Sequence, residues 1–429
     1  MIKKLFLSTF LSFTLVSNWA QDVAYARMLI DSLASPTMYG RAYVMQGDSL
    51  AAAVIASQYK IIGLQAFNSD YYQPFTLNVN TYPGKVEFSV NGKLLVPGKT
   101  FAVNPGSHTD KGIYPVRTFN RKMFDKPCRS KRFGKRNYAN HYIFYDIDTR
   151  AIKSRDTLRI IDSLIKNNVF GSRGGIFPKP TISWHVWARP MSENPFTAFN
   201  VHRNQIVGKI KNIEVDVEAV YRTDYVTRNV IGFIPGRMSP DSFLVVSAHY
   251  DHLGMMGRET VFPGANDNAS GTAMLLDLAR HYSLPENRPH YSMAFMAFSG
   301  EEAGLHGSKY YTEKPFFPLE NIKFLVNLDM VGTGSDGLLV FNATTDTARV
   351  EIIEAINAKK GYVKEIRRRG VSRSSDHYYF HQNGVPSFFL LTTGGEHKHY
   401  HDIHDRPEAL TLNRYNDVFR LITDFLGTF

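Results

Sequence analysis

Four short apolar runs constrain this chain more than any other feature: Phe243 to Ser247, Ser292 to Phe298, Ile322 to Leu328 and Ser387 to Leu391. Each reads as a strand buried on both faces. Helical patterns alternate with them. Ala269 to Tyr282 repeats Met274, Leu275, Leu278 and Tyr282 at helical spacing, Thr345 to Lys360 is stopped by Gly361, and Leu412 to Leu426 follows Thr411 as a cap. Strands alternating with helices predict an α/β fold, a mixed sheet flanked by helices, over residues 223–429. Ser49 to Ile62, with Asp48 as its cap, adds an N-terminal helical part of the same unit over 21–71.

From residue 72 to 222 the pattern changes to short β-type runs broken by Gly and Pro. Val86, Phe88 and Val90 alternate, turn at Asn91-Gly92 and return through Leu94, Leu95 and Val96, which is a hairpin signature. A β-rich inserted domain is expected there, in keeping with a chain of 429 residues that exceeds one average domain.

The N-terminus carries Lys3 and Lys4 ahead of an apolar run from Leu5 to Val16, shorter than the roughly 20 residues of a membrane span. It reads as an export signal over residues 1–20, with Ala24-Tyr25-Ala26 as a second small-x-small cleavage site, and the protein is expected in the periplasm or outside the cell. The single Cys128 permits no internal disulfide. The net charge of +11 is concentrated: Arg121 to Arg136 (RKMFDKPCRSKRFGKR) holds eight basic residues against Asp125 alone. Such a stretch is either a solvated loop or a contact for an anionic surface or acidic substrate. No nucleic-acid-binding motif accompanies it, which argues against a nucleic-acid partner.

The chemistry lies where the acidic and histidine residues fall relative to the strands. His249-Tyr250-Asp251 follows the first, Glu301-Glu302 the second, Asp329 the third, and a glycine-bearing loop leads from the fourth to His401. In open α/β sheets, ligands bind outside the carboxyl ends of the strands, where such loops converge. Asp267 sits in the turn Gly264-Ala265-Asn266-Asp267-Asn268 ahead of a helix, where its carboxylate is expected to face free backbone N–H groups. Two imidazoles and three carboxylates, beside one further Glu, suit zinc and exceed the usual three ligands of one catalytic ion. Two ions sharing Asp267 is the economical reading, with other divalent ions also accommodated. One of Glu301 and Glu302 then binds metal while its neighbour takes a proton.

Ala248-His249-Tyr250-Asp251-His252-Leu253-Gly254, Asn266-Asp267-Asn268-Ala269-Ser270-Gly271, Gly300-Glu301-Glu302-Ala303-Gly304-Leu305-His306-Gly307-Ser308 and Asn327-Leu328-Asp329-Met330 together resemble the zinc aminopeptidase family of bacterial leucyl aminopeptidases. Its superfamily also includes glutamate carboxypeptidases, glutaminyl cyclases and the inactive transferrin receptor. The resemblance covers about Asp224 to the C-terminus. It implies His249 and Asp329 on one zinc, Glu302 and His401 on the other, Asp267 bridging, Glu301 as general acid/base, and Asp251 orienting His249. In the last motif, His399-Tyr400-His401-Asp402-Ile403-His404-Asp405, His401 is preferred because Asp405 keeps the family's spacing, with His399 and His404 as competitors. Ser375-Asp376-His377 either lines the substrate pocket or caps a helix. More weakly, the insertion resembles the protease-associated modules of secreted members.

The implied reaction is hydrolysis of the N-terminal peptide bond of peptides through a metal-bridging water. Two alternatives stand beside it: a glutaminyl cyclase, which would use a single zinc of the same site, and a metal-free, receptor-like member, against which the unsubstituted ligand positions speak.

Overall fold

The computed structural model describes residues 23–148, 150, 152–193 and 195–429. The export signal expected over residues 1–20 lies outside them. Among the described residues no helix is long and apolar enough to cross a membrane.

The apolar runs form the centre of an eight-stranded sheet in the order Tyr72–Thr81, Val220–Ile234, Tyr291–Phe298, Ser239–His249, Ile322–Leu328, Ser387–Thr393, Gly337–Phe341 and Ile366–Arg368. The four strands expected from sequence lie side by side and parallel. Antiparallel pairing begins at either flank, with Val220–Ile234 on one side and Gly337–Phe341 on the other, so the sheet is mixed. Successive side chains of Ser239–His249 serve opposite cores. Leu244, Val246 and Ala248 meet the helices Val23–Leu33, Gly47–Ile62, Gly271–Ser283, Thr347–Lys360 and Tyr415–Leu426. Phe243 and Val245 instead join Tyr311 and Phe380, from the short helices His306–Glu313 and His377–Gln382. Covering both faces is what lets these strands be apolar throughout.

Gly361 ends its helix in the left-handed conformation (φ 68°), with its N–H on Asn357 O, as the sequence predicts. Two expected caps are corrected. Asp48 lies inside the first helical turn and accepts a hydrogen bond from Tyr225 Oη at 2.7 Å, so a long-range partner takes the carboxylate that would have capped. Thr411 is no cap, because Leu412 takes a positive φ of 55° and the last helix starts only at Tyr415.

The insertion has its own eight-stranded sheet, in which Val86–Val90 turns at Asn91 (φ 49°) and Gly92 (φ 81°) into Lys93–Leu94, the expected hairpin. Its boundaries differ from the expected 72–222. Tyr72–Thr81 pairs along its length with Val220–Ile234, Tyr72 opposite Val230 and Thr81 opposite Val220, at the edge of the main sheet. The inserted sheet therefore lies within residues 82–219. An alternating strand reads alike whichever sheet it joins, so only its pairing fixes the boundary. The basic segment is helical over Arg121–Phe124 and Pro127–Gly134. Met123, Phe124 and Phe133 pack on a small core with Phe119, Tyr138 and Phe170, leaving the cations outside.

Within the insertion, Asp110 is buried and accepts from Tyr114, Tyr142 and Arg173, whose Nη2 stands 2.6 Å away. Burial raises the Asp110 pKa, but the Arg173, Tyr142 and Tyr114 bonds outweigh it and hold it below the ordinary carboxylate value. A depressed native pKa adds stability above the unfolded pKa, and that stability is lost as pH falls through the folded one. Because the Arg173 side chain is 40% exposed, Arg173→Ala should cost about 1–2 kcal/mol near neutral pH, below the figure for a fully buried pair. The difference from wild type should narrow in acid, which urea unfolding at neutral and acidic pH will measure.

Candidate metal centre

The carboxyl ends of the parallel strands bring the predicted residues together. His249 closes Ser239–His249, Asp329 follows Ile322–Leu328, and Glu301 and Glu302 sit in the turn after Tyr291–Phe298. His249 Nε2 lies 3.3 Å from Asp329 Oδ1 and 3.4 Å from Asp267 Oδ1. The other oxygen of Asp267 is 3.1 Å from His401 Nε2, which is itself 3.1 Å from Glu302 Oε2. Asp267 thus turns one oxygen to each of two groups. Of the candidates His399, His401 and His404, His401 reaches the cluster, whereas His399 pairs with Asp402 at 3.2 Å.

His252, from the first motif, is fully buried, with Nδ1 2.8 Å from Glu302 Oε1 and 3.9 Å from Asp267 Oδ2. Ligand atoms of His249, Asp267 and Asp329 lie within 4.8 Å of one another, and so do those of His252, Asp267 and Glu302. Nitrogen and carboxylate oxygen at this spacing form a donor set that zinc accepts, so the residues fit the expected ions.

Two expectations are refined by the geometry. His249 Nδ1 lies 3.1 Å from the backbone oxygen of Asp251 and 3.7 Å from its carboxylate, so the carbonyl makes the orienting bond. The Asp251 carboxylate accepts instead from Tyr43 Oη at 3.0 Å and from the N–H groups of Glu301 and Glu302 at 3.2 and 3.3 Å, which fixes the turn carrying both glutamates. The N–H at the helix start, Gly271 N, goes to Asn268 Oδ1 at 2.9 Å, and Asp405 accepts from Asn266 N at 2.8 Å and Asp267 N at 3.0 Å. Asp405 thereby holds the backbone of Asp267 and leaves its carboxylate to the imidazoles.

Ser375, Asp376 and His377 are all fully buried behind the site rather than lining an open pocket. Ser375 Oγ accepts from Asn327 Nδ2 at 2.8 Å. Burial and the nearby Asp329 push Asp376 up to about 6, against the pull of His249 and Ser308. Asp376 is also no side-chain cap for the helix His377–Gln382.

Sequence reasoning missed Arg41. Its guanidinium is fully buried and donates to the carbonyls of Tyr250 (2.7 Å), Leu33 (2.9 Å), Pro263 (2.7 Å), Gly264 (2.8 Å) and Asp267 (3.3 Å). It ties the His249 strand end to the Asp267 turn. Nothing near Arg41 in the sequence signals this, because most of its partners lie more than two hundred residues away.

The electrostatics are those of a site short of positive charge. Burial pulls His249 down, yet Asp329, Glu301 and Asp267 hold it well above its ordinary value. His401 is raised to about 11 in the same way, by Glu302 and Asp267 against burial. Burial would raise Glu302, but His401 and His252 bring it down to about 2. Burial raises Glu301 instead, and Glu302, Asp329 and Asp376 add to that over the pull of His249, leaving its carboxyl well above the carboxylate range.

Replacing Arg41 by Met would leave buried carbonyls without donors and the carboxylates without a countercharge. Arg41→Met should lower stability by about 3 kcal/mol or more, as read by denaturant unfolding; a loss within about 0.5 kcal/mol, the range of ordinary surface substitutions, would count against this role.

A family model described as peptidase family M28 matches residues 229–426. Aminopeptidase YwaD of Bacillus subtilis is 29% identical over 223 residues, 47% of this chain and 44% of that protein. A probable leucine aminopeptidase of Trichophyton verrucosum is 29% identical over 213 residues, 46% of this chain and 55% of its own. A probable zinc metalloprotease of Pyricularia oryzae is 39% identical over 113 residues, 25% of this chain and 22% of its own. The chain thus spans about half or less of these curated relatives. Among solved structures, a peptidase M28 precursor from Shewanella amazonensis shares the fold with a TM-score of 0.72 at 17% identity, over 95% of this chain and 93% of that one. BSAP, a zinc aminopeptidase from Bacillus subtilis, gives 0.68 at 21% identity over 95% of each chain.

Proposed function

We propose, on the match of residues 229–426 to peptidase family M28, that the protein is a zinc-dependent aminopeptidase that releases N-terminal residues from peptides. One observation carries the reading: Asp267 offers one oxygen to the His249–Asp329 side of the cluster and the other to the Glu302–His401 side.

In this reading His249 and Asp329 would hold one ion and Glu302 and His401 the other, with Asp267 able to serve both. Zinc bound there would supply the Lewis acidity that activates water and polarises the scissile carbonyl. Glu301 is assigned the proton. Both carboxylate oxygens of Glu302 are engaged by His252 and His401, whereas among the described residues no hydrogen bond occupies the Glu301 carboxyl. Glu301 is therefore able to accept a proton from the attacking water at a carboxylate oxygen and return it to the leaving amine nitrogen. Asp251 keeps that carboxyl in place through the Glu301 N–H. A glutaminyl cyclase needs no such proton carrier for water, because the substrate's own amine is its nucleophile, and the complete five-ligand set favours the hydrolase.

The purified protein should carry two zinc ions per chain by elemental analysis. It should shorten unblocked peptides from the N-terminus, spare N-acetylated ones, and form no dominant pyroglutamate product from glutaminyl peptides. Glu301→Gln should retain metal and lose about 10²- to 10⁴-fold in turnover. Metal-free protein, or near-normal turnover in the variant, would overturn the assignment.

The reading also places the enzyme outside the cytoplasm, on the pattern Lys3-Lys4 followed by the apolar run to Val16. The helices Arg121–Phe124 and Pro127–Gly134 then offer a contact for anionic surfaces. Lys122, Arg129, Arg132 and Arg136 line one cavity of about 350 Å³ together with Asn120, Met123 and Phe133, with no carboxylate among its walls. Changing Arg129, Arg132 and Arg136 to Gln should weaken co-sedimentation with phosphatidylglycerol vesicles at low salt, and added salt should weaken it in wild type. Unchanged binding would reduce the segment to a solvated face.

A further inference from the structure

His401 is gripped by the insertion. Trp184 N donates to the His401 carbonyl oxygen at 2.9 Å. Beside it, His185 Nδ1 stands 3.0 Å from His401 Nδ1, the two rings edge to face with centroids 4.7 Å apart. Tyr400 stacks on the His401 ring, centroids 3.9 Å apart. The segment bearing His185 is anchored in turn. Trp184 is buried, donates from Nε1 to Val103 O at 2.8 Å, and stacks on Phe262 with centroids 5.0 Å apart.

An imidazole that presents Nε2 to a cation carries its proton on Nδ1, and that proton needs an acceptor. Two facing Nδ1 atoms share one proton. With His401 as the donor, His185 must be the tautomer protonated on Nε2, and its Nδ1 accepts. His252 Nδ1, by contrast, is directed to Glu302 and does not serve His401. Nothing in the sequence around His185 announces this role, since the pair is separated by 216 positions.

We propose that His185 is a positioning residue for His401: it takes the His401 Nδ1 hydrogen bond, fixes the tautomer that turns Nε2 toward Asp267 and Glu302, and so makes the second metal position depend on the insertion. The inference rests on the two-metal reading above. It is tested by titrating zinc into chelator-stripped, full-length protein and following binding by calorimetry, for wild type, His185→Ala, His185→Phe and His185→Asn. Wild type should take two equivalents. The Ala and Phe variants should keep one position at wild-type affinity and weaken the other by about 10- to 100-fold. Asn offers an acceptor oxygen close to the place of Nδ1 and should restore most of the loss. Two unweakened positions in the Ala and Phe variants, or an Asn variant as weak as Ala, would overturn the proposal. The wild-type arm separates the two readings, because fewer than two equivalents there defeats the two-metal premise itself.

Discussion

Carboxylates crowded into a region largely closed to water set the terms for the rest of this structure. Asp251, Asp267, Asp329, Asp376 and Asp405 are buried around the carboxyl-end rim of the sheet, with Glu301 and Glu302 beside them. Buried negative charge is tolerated only against opposing charge or well-placed donors. Each group is answered differently. Asp405 accepts two backbone N–H groups and lies 3.0 Å from His397 Nε2. Asp251 accepts a tyrosine hydroxyl and two N–H groups, yet burial and the neighbouring Glu302 and Asp376 still raise it to about 7. Asp267 and Glu302 rely on imidazoles. Arg41 supplies the fixed positive charge, and even its pKa is pulled by burial to about 10.

The parts of this arrangement that the sequence made legible are those set by local pattern. A strand buried on both faces must be apolar throughout, so the polar residues after it stand out, and the sequence alone puts His249, Glu301, Glu302 and Asp329 on one rim. Arg41, His185 and the true partners of Asp251 were not legible, because each acts through contacts made only once distant segments meet. His252 is the intermediate case. It stands in the motif itself, yet only the fold shows its ring buried against Glu302. The insertion boundary failed for a related reason: the alternation of Tyr72–Thr81 is equally consistent with either sheet, and only pairing with Val220–Ile234 decides between them.

The insertion is not a separate body resting on the main α/β unit. Leu253, Met256 and Phe262, from the segment directly after His249 and Asp251, are part of the insertion's own apolar core, with Tyr82, Phe101, Trp184 and Phe199. That segment pairs with itself as Gly254–Met256 against Thr260–Phe262 and is closed by Gly40. A Cβ on Gly40 would come within 2.4 Å of Gly254 O, so glycine is required for this approach. Packing therefore joins the loops bearing His249 and His401 to the inserted sheet. Disturbing that sheet should be felt at the rim, although none of the five proposed metal ligands comes from it.

The adjacent glutamates show how finely this environment divides labour. Glu301 and Glu302 share a turn, a chemical type and a degree of burial, and burial raises both. Their surroundings then separate them. Glu302 lies against His252 and His401 and is drawn down to about 2, while Glu301 faces Glu302, Asp329 and Asp376 and is pushed the other way. Two carboxyls whose environments drive their proton affinities apart are suited to different tasks, the low one to holding a cation and the high one to carrying a proton. The separation depends on where the turn sets the two side chains, and Asp251 ties that turn down by accepting both N–H groups, one on each carboxylate oxygen. In the proposed reaction Asp251 would thus act through the glutamate backbone as much as through His249.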